Sequence, residues 1–157
     1  MENFGQYLSF DLVFSRLKFV SVPQIFMHMA EAAAPVLEIG ADVVYQALMA
    51  RERAMPSGVG GGLALSDIKI PGSAKPVVIV ATLKHDVDFN ALDSQPVRVM
   101  GLVISPERDG PYHLRRLSRV SRLLKDNALH EKLLGADDEA AVRSLLMDSG
   151  GGWLMAA

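Results

Sequence analysis

Two runs of β-branched and aliphatic residues constrain this chain most. Pro76 leads into Val77-Val78-Ile79-Val80-Ala81-Thr82-Leu83, and a second run covers Val97–Ile104. Both have strand length, and neither alternates apolar with polar residues. A strand that is apolar on both faces must be covered on both faces, which calls for helices above and below a sheet. A third apolar-rich stretch, Leu12–Val20, reads as a strand or an extended arm. Val59–Leu65 is apolar but broken by glycine, and reads as a strand entering or leaving a site.

Helical patterns lie between these runs. Ser21 precedes Gln24 by three residues, the spacing of a capping box, and Pro23 suits a first turn. Ile25, Phe26, Met29, Ala30 and Ala33 then share one helical face, and Pro35 disfavours helix at Ala34. A second helix is expected from Asp42, as its cap, to about Arg53, with Val44, Ala47 and Leu48 inward. Pro106, Asp109, Gly110 and Pro111 mark a turn. A long helix follows, with Leu114, Leu117, Val120 and Leu124 inward and Arg115, Arg116, Arg119, Arg122 and Lys125 outward. Asn127 and Asp137 are candidate caps for helices over Ala128–Leu134 and Asp138–Met147. The interleaving gives an α/β class, with helices packed on both faces of a mixed β-sheet.

The chain's 157 residues make one domain, expected over residues 1–149. Gly150–Ala157, which contains Trp153, reads as a loose tail. A net charge of −2 argues against a nucleic-acid grip. Cysteine is absent, which excludes disulfides and thiolate chemistry. His28 reads as packed, His85 as a surface turn and His130 as sitting on a polar helix face. The four histidines show no ligand spacing, so no metal and no cofactor is expected. No run approaches the length that would span a bilayer, and the first residues lack a basic segment, so a cytoplasmic protein is expected. The basic row of the long helix reads as a solvated face, or alternatively as a docking surface for an acidic protein partner. Met27, Met29, Met49 and Met55 read as core filler.

Several ordered motifs resemble one family. Arg51-Glu52, Ser57-Gly58 and Gly62-Leu63-Ala64-Leu65 are similar to the active-site stretch of the enzyme IIA proteins of the phosphotransferase system. The nitrogen-regulatory branch of the fructose/mannitol type is the nearest in pattern. Val87-Asp88-Phe89-Asn90-Ala91-Leu92-Asp93-Ser94-Gln95-Pro96-Val97 resembles the family's acidic-Phe segment leading into a core strand. His113-Leu114 with Leu117-Ser118 resembles its His-Leu-x-x-Leu-Ser helix start. The likeness spans residues 8–147. It implies the enzyme IIA fold and a phosphoryl-transfer setting. Its partners would be a histidine-containing phosphocarrier protein, or regulated targets such as a transporter or sensor kinase.

The family motif ends Pro-His, and that His is the phosphoryl acceptor; here the two positions are Ser66-Asp67. The resemblance carries the rest of the pocket onto Arg51, Ser57 and His113, with Ser66 and the amides of Gly58, Gly60 and Gly62 as further lining. Asp67 places a built-in carboxylate among donors suited to a phosphoryl group, and a positive pocket should lower its pKa. The leading expectation is a regulator that no longer carries phosphate on histidine. Two alternatives stand beside it. One is an active carrier using Asp67 or His113, the first of which would enlist a metal and acids such as Asp88 and Asp93. The other is a small-anion sensor.

Overall fold

A computed structural model describes the backbone of residues 10–156 and the side chains of residues 10–148. The elements in chain order are β1 (Leu12–Leu17), α1 (Val22–Leu37), α2 (Ala41–Ala54), β2 (Gly58–Gly60), β3 (Leu63–Ile70), β4 (Val77–Val87), β5 (Val97–Pro106), α3 (Pro111–Leu124), α4 (Asn127–Leu134) and α5 (Glu139–Ala156). A 3-10 turn, Glu107–Asp109, leads into α3. The strands form one mixed sheet in the order β1-β4-β5-β3-β2. β1 runs parallel to β4, and β3 runs parallel to β5. The β4–β5 and β2–β3 pairs are antiparallel.

The two unalternating runs became β4 and β5, the centre of the sheet. Ile79, Ala81, Met100, Leu102 and Ile104 pack beneath α1 and α2. Val78, Val80, Val99 and Val103 pack on the other face, beneath α3, α4 and α5. Gly101 lets α3 approach that second face. A Cβ there would lie 2.7 Å from a Leu124 methyl and 2.9 Å from a Val120 methyl. Overpacking of this kind costs about 1–3 kcal/mol. Gly101→Ala is therefore expected to lower the urea midpoint with the slope unchanged; an unshifted midpoint would show that α3 has slack against the sheet.

Several boundaries differ from the sequence reading. α1 continues through Pro35 to Leu37. The helix holds there because Leu37 is fully buried and its last carbonyls find donors. Ala34 O accepts the Ile39 amide, and Leu37 O accepts the Ala74 amide. Ser21 caps α1, its hydroxyl accepting from the Gln24 amide. Gly40, not Asp42, precedes α2, so Asp42 is a first-turn acid that suits the helix dipole. Asp126 and Asp138 accept from the Leu129 and Ala141 amides, one residue away from the caps expected at Asn127 and Asp137.

β1 stops at Leu17, short of Val20. Lys84-His85-Asp86 lies within β4 and is not a turn. Met27 and Met55 are exposed, whereas Met29 is core. The stripe on α3 differs from the one expected in its first turns. Leu114 is 64% exposed, while His113, Arg116, Val120, Leu123 and Leu124 face inward. α5 is helical through Ala156, but the tail expected at 150–157, Trp153 included, has side chains outside the described residues.

Candidate functional site

Strand alternation divides β3 into two faces. Ala64, Ile68 and Ile70 join the α1–α2 core, whereas Leu63 and Leu65 join the α3 side. Asp67 follows Leu65 by two and so points toward α3. Ser66 points the other way, is fully buried, and its hydroxyl has no hydrogen-bond partner among the described residues.

Three groups expected in one pocket do meet. Asp67 Oδ2 lies 2.8 Å from His113 Nε2, and Asp67 Oδ1 accepts from Arg51 Nη2 at 3.3 Å. They arrive from three elements. β2 pairs with β3 only as far as Ala64, with Ser57 O accepting the Leu65 amide. The outer edge of β3 is therefore open at Asp67, and Arg51, near the end of α2, reaches it past that edge. Arg51 Nη1 is fixed in turn by the carbonyl of Met55, the residue that ends its own helix. His113 comes from the first turn of α3 and is 2% exposed.

Behind His113 stands a layer that sequence reasoning missed. His113 Nδ1 is 2.8 Å from Ser105 Oγ, and Arg116 Nη1 donates to the same oxygen at 2.8 Å. Arg116 Nη2 pairs with Asp109 at 2.8 Å. Arg116 was expected to point outward because guanidinium groups are rarely buried unless paired. Here Ser105 and Asp109 provide the pairing, and Arg116 is 8% exposed. The available signal was its spacing of three from His113, which places both on one helix face.

The carboxyl of Asp67 is held below its ordinary range. The hydrogen bond from His113 is the largest cause; partial burial pushes the other way, and the Arg51 charge adds to the lowering. Asp67 is thus an anion with both oxygens engaged.

The remaining expected pocket residues do not join this cluster. Ser57 is buried, and both its amide and hydroxyl donate to the Glu52 carboxylate. A Cβ on Gly58 would press on Ala91 and Phe89, so that glycine permits packing of the segment after β4. Gly60 and Gly62 have φ of +96° and +80°, conformations that favour glycine, and shape the β2–β3 turn. Gly60 sits beside Asp93 and Gly62 beside His130. The amide of Gly61, between two glycines expected to face an anion, donates to Asp93 at 2.8 Å. That bond and one from the Gln95 amide hold the Asp93 carboxyl below its usual range. Asp88 accepts from the Asn90 amide. Among the described residues no group of three or more His, Asp or Glu is placed to hold a metal.

Next to the Arg51–Met55 contact lies a groove of about 600 Å³, lined by Met55, Pro56, Val59, Leu92 and Asp93 among others. Met55, Val59 and Leu92 are exposed apolar side chains. No described helix is long and apolar enough to cross a membrane.

Comparison with known proteins places this geometry in a family. Residues 6–149 match the family model described as the phosphoenolpyruvate-dependent sugar phosphotransferase system, EIIA 2. A nitrogen regulatory protein of Bradyrhizobium diazoefficiens is 32% identical over 136 residues, which cover 87% of this chain and 89% of that protein. A PTS system fructose-specific EIIA component of Haloferax volcanii is 33% identical over 107 residues, or 68% of this chain and 70% of the relative. Among solved structures, the nitrogen regulatory protein IIA-Ntr of Neisseria meningitidis superimposes with a TM-score of 0.82 at 22% identity. That match covers 90% of this chain and 97% of the other. IIA mannitol of Escherichia coli gives 0.70 at 17% identity, covering 89% and 99%. The mixed sheet with helices on both faces is thus the fold of these EIIA proteins, and the chain belongs to the EIIA type 2 family of the phosphotransferase system.

Proposed function

We propose that this protein is a nitrogen-regulatory-type member of its family that acts through protein–protein contact and does not carry phosphate on histidine. The observation that carries the reading is the position of Asp67. By the motif resemblance, position 67 corresponds to the family's acceptor histidine, and its ionised carboxylate is tied to His113 at 2.8 Å and Arg51 at 3.3 Å. Phosphoryl transfer to histidine needs a neutral nitrogen in line with phosphorus and free donors for the equatorial oxygens. Here two donors are committed to the chain's own anion, which also repels an incoming phosphate. The charge resembles that of a phosphorylated relative in sign, although a carboxylate carries less than the −1.5 to −2 of a phosphate monoester.

The exposed apolar groove beside Arg51 supports a protein as the partner. By analogy with the family, that partner is the histidine-containing phosphocarrier protein or a regulated transporter or sensor kinase, met in the cytoplasm. One relative's structure was solved as a complex of enzyme IIA mannitol with phosphorylated enzyme IIB mannitol, which shows a IIA domain of this fold engaging another protein. Mass spectrometry after incubation with phosphorylated phosphocarrier protein tests the proposal. The expected result is an unchanged mass, and a stable gain of one phosphoryl group would overturn it.

A further inference from the structure

One arrangement of hydrogens gives every bond behind His113 both a donor and an acceptor and leaves no hydroxyl hydrogen without a partner. A guanidinium has only hydrogens to give, so Arg116 Nη1 donates to Ser105 Oγ. The single hydroxyl hydrogen of Ser105 is then left for an acceptor, and His113 Nδ1 lies 2.8 Å away. A nitrogen that accepts carries no proton. The other ring nitrogen, Nε2, faces Asp67 Oδ2, and an ionised carboxylate only accepts, so Nε2 carries the hydrogen. Every group in the row finds a partner of the right sense when His113 is the neutral Nε2–H tautomer.

We infer that Ser105 and Arg116 are positioning residues: they hold His113 as a neutral Nε2–H donor aimed at position 67, whatever occupies that position. The inference stands on hydrogen-bond sense alone and does not depend on whether the site meets a phosphoryl group.

Such a device has a physical purpose. A histidine beside a carboxylate is drawn toward the doubly protonated form. The groups facing the ring are Asp67 on β3, Ser105 on β5 and Arg116 on α3 itself. One step further out, Arg51 of α2 pairs with Asp67, and Asp109 of the 3-10 turn pairs with Arg116. Asp67 faces the Nε2 side of the ring. The Ser105 hydroxyl, with the Arg116 cation behind it, occupies the Nδ1 side. Burial leaves the ring little access to water as a substitute partner. The one lone pair of the imidazole is turned into the protein toward Ser105, so His113 is a donor and not a nucleophile.

Long-range proton–nitrogen correlation spectra of the full-length ¹⁵N-labelled chain at neutral pH test this. In Asp67→Ala the carboxylate no longer selects a tautomer, yet His113 should still show a protonated Nε2 and a bare Nδ1. In Asp67→Ala/Ser105→Ala the two nitrogens should move toward averaged shifts, and Asp67→Ala/Ser105→Thr should restore the pattern. An averaged or Nδ1–H pattern in Asp67→Ala would overturn the inference. So would a protonated Nε2 and bare Nδ1 persisting in Asp67→Ala/Ser105→Ala, and Asp67→Ala decides the matter alone if the double variants fail to fold.

Discussion

Asp67→His is expected to take up one phosphoryl group from phosphorylated phosphocarrier protein under conditions where the wild type takes up none. The surroundings for that gain are in place. Arg51 Nη2 and His113 Nε2 already converge on residue 67, at 3.3 Å and 2.8 Å from its carboxylate. What the wild type lacks is a neutral nucleophilic nitrogen, and what it adds is an opposing charge. Two like charges at 4 Å repel by about 4 kcal/mol near a protein surface, equivalent to roughly a thousandfold in rate. Replacing the carboxylate with imidazole removes that penalty and frees both donors for the phosphoryl oxygens. Asp67 is partly open to solvent, its side chain 22% exposed, so the larger ring has room outward.

The adduct should be labile in acid and stable in base, as a phosphohistidine is, and mass spectrometry with parallel acid treatment reads both. Adding His113→Ala to Asp67→His removes one charge-stabilising donor and should slow labelling by about a hundredfold. An Asp67→His protein that stays unlabelled beside a fully phosphorylated donor would show that the donors at position 67 do not form a working cradle. The same variant tests the regulatory reading. If Asp67 sets the signalling state, wild type and Asp67→His should capture different partner sets from a lysate of the source cells, and identical sets would deny the carboxylate any switching role.

The legible parts of this molecule were those where one force acts alone. β4 and β5 could be read because apolar burial on two faces leaves no other arrangement for Val77–Leu83 and Val97–Ile104. α1 could be read from Ser21 and its apolar stripe, but its end could not. Pro35 disfavours helix locally, whereas the burial of Leu37 and the donors from Ile39 and Ala74 hold the last turn together, and those partners are distant or conformational.

The site shows the same division. Asp67, Arg51 and His113 could be nominated from ordered motifs, and they meet. Ser105 and Arg116 could not, because a serine just past an apolar strand run and an arginine on a helix both look like solvent exposure until their partners are known. Periodicity counted on apolar residues alone put Val120, Leu124 and the partly buried Leu117 on the core side, but it misplaced the first turns, with Leu114 inward and Arg116 outward. Glycine misled for a related reason. An open amide in sequence promises an anion site, but the fold had already given the Gly61 amide to Asp93, 32 residues away.

Asp67 should also leave a signature on stability, and its sign follows from its bonds. The folded state lowers the Asp67 pKa, mainly through the His113 hydrogen bond and also through Arg51. A lowered folded pKa means that the native state favours the ionised form. The contribution is fully present above the unfolded value of about 3.9 and is lost as pH falls through the lower folded value. At neutral pH the two charge-assisted hydrogen bonds are worth about 2–3 kcal/mol together, since removing the carboxylate strands the buried His113 N–H while leaving Arg51 some access to water. Asp67→Ala should therefore melt about 4–10 °C below the wild type at pH 7.

The gap should narrow as pH drops below about 4, because protonating the wild-type carboxyl removes the same interactions that the alanine lacks. Asp67→Asn keeps an acceptor for His113 but no charge for Arg51, so it should fall between the two at pH 7 and show a flatter acid limb. Calorimetry across pH 3–7 measures all three. A constant gap over that range would mean that the bonds at residue 67 hold the same free energy whatever its charge. The carboxylate would then be a packing group and not the fixed anion on which the regulatory reading rests.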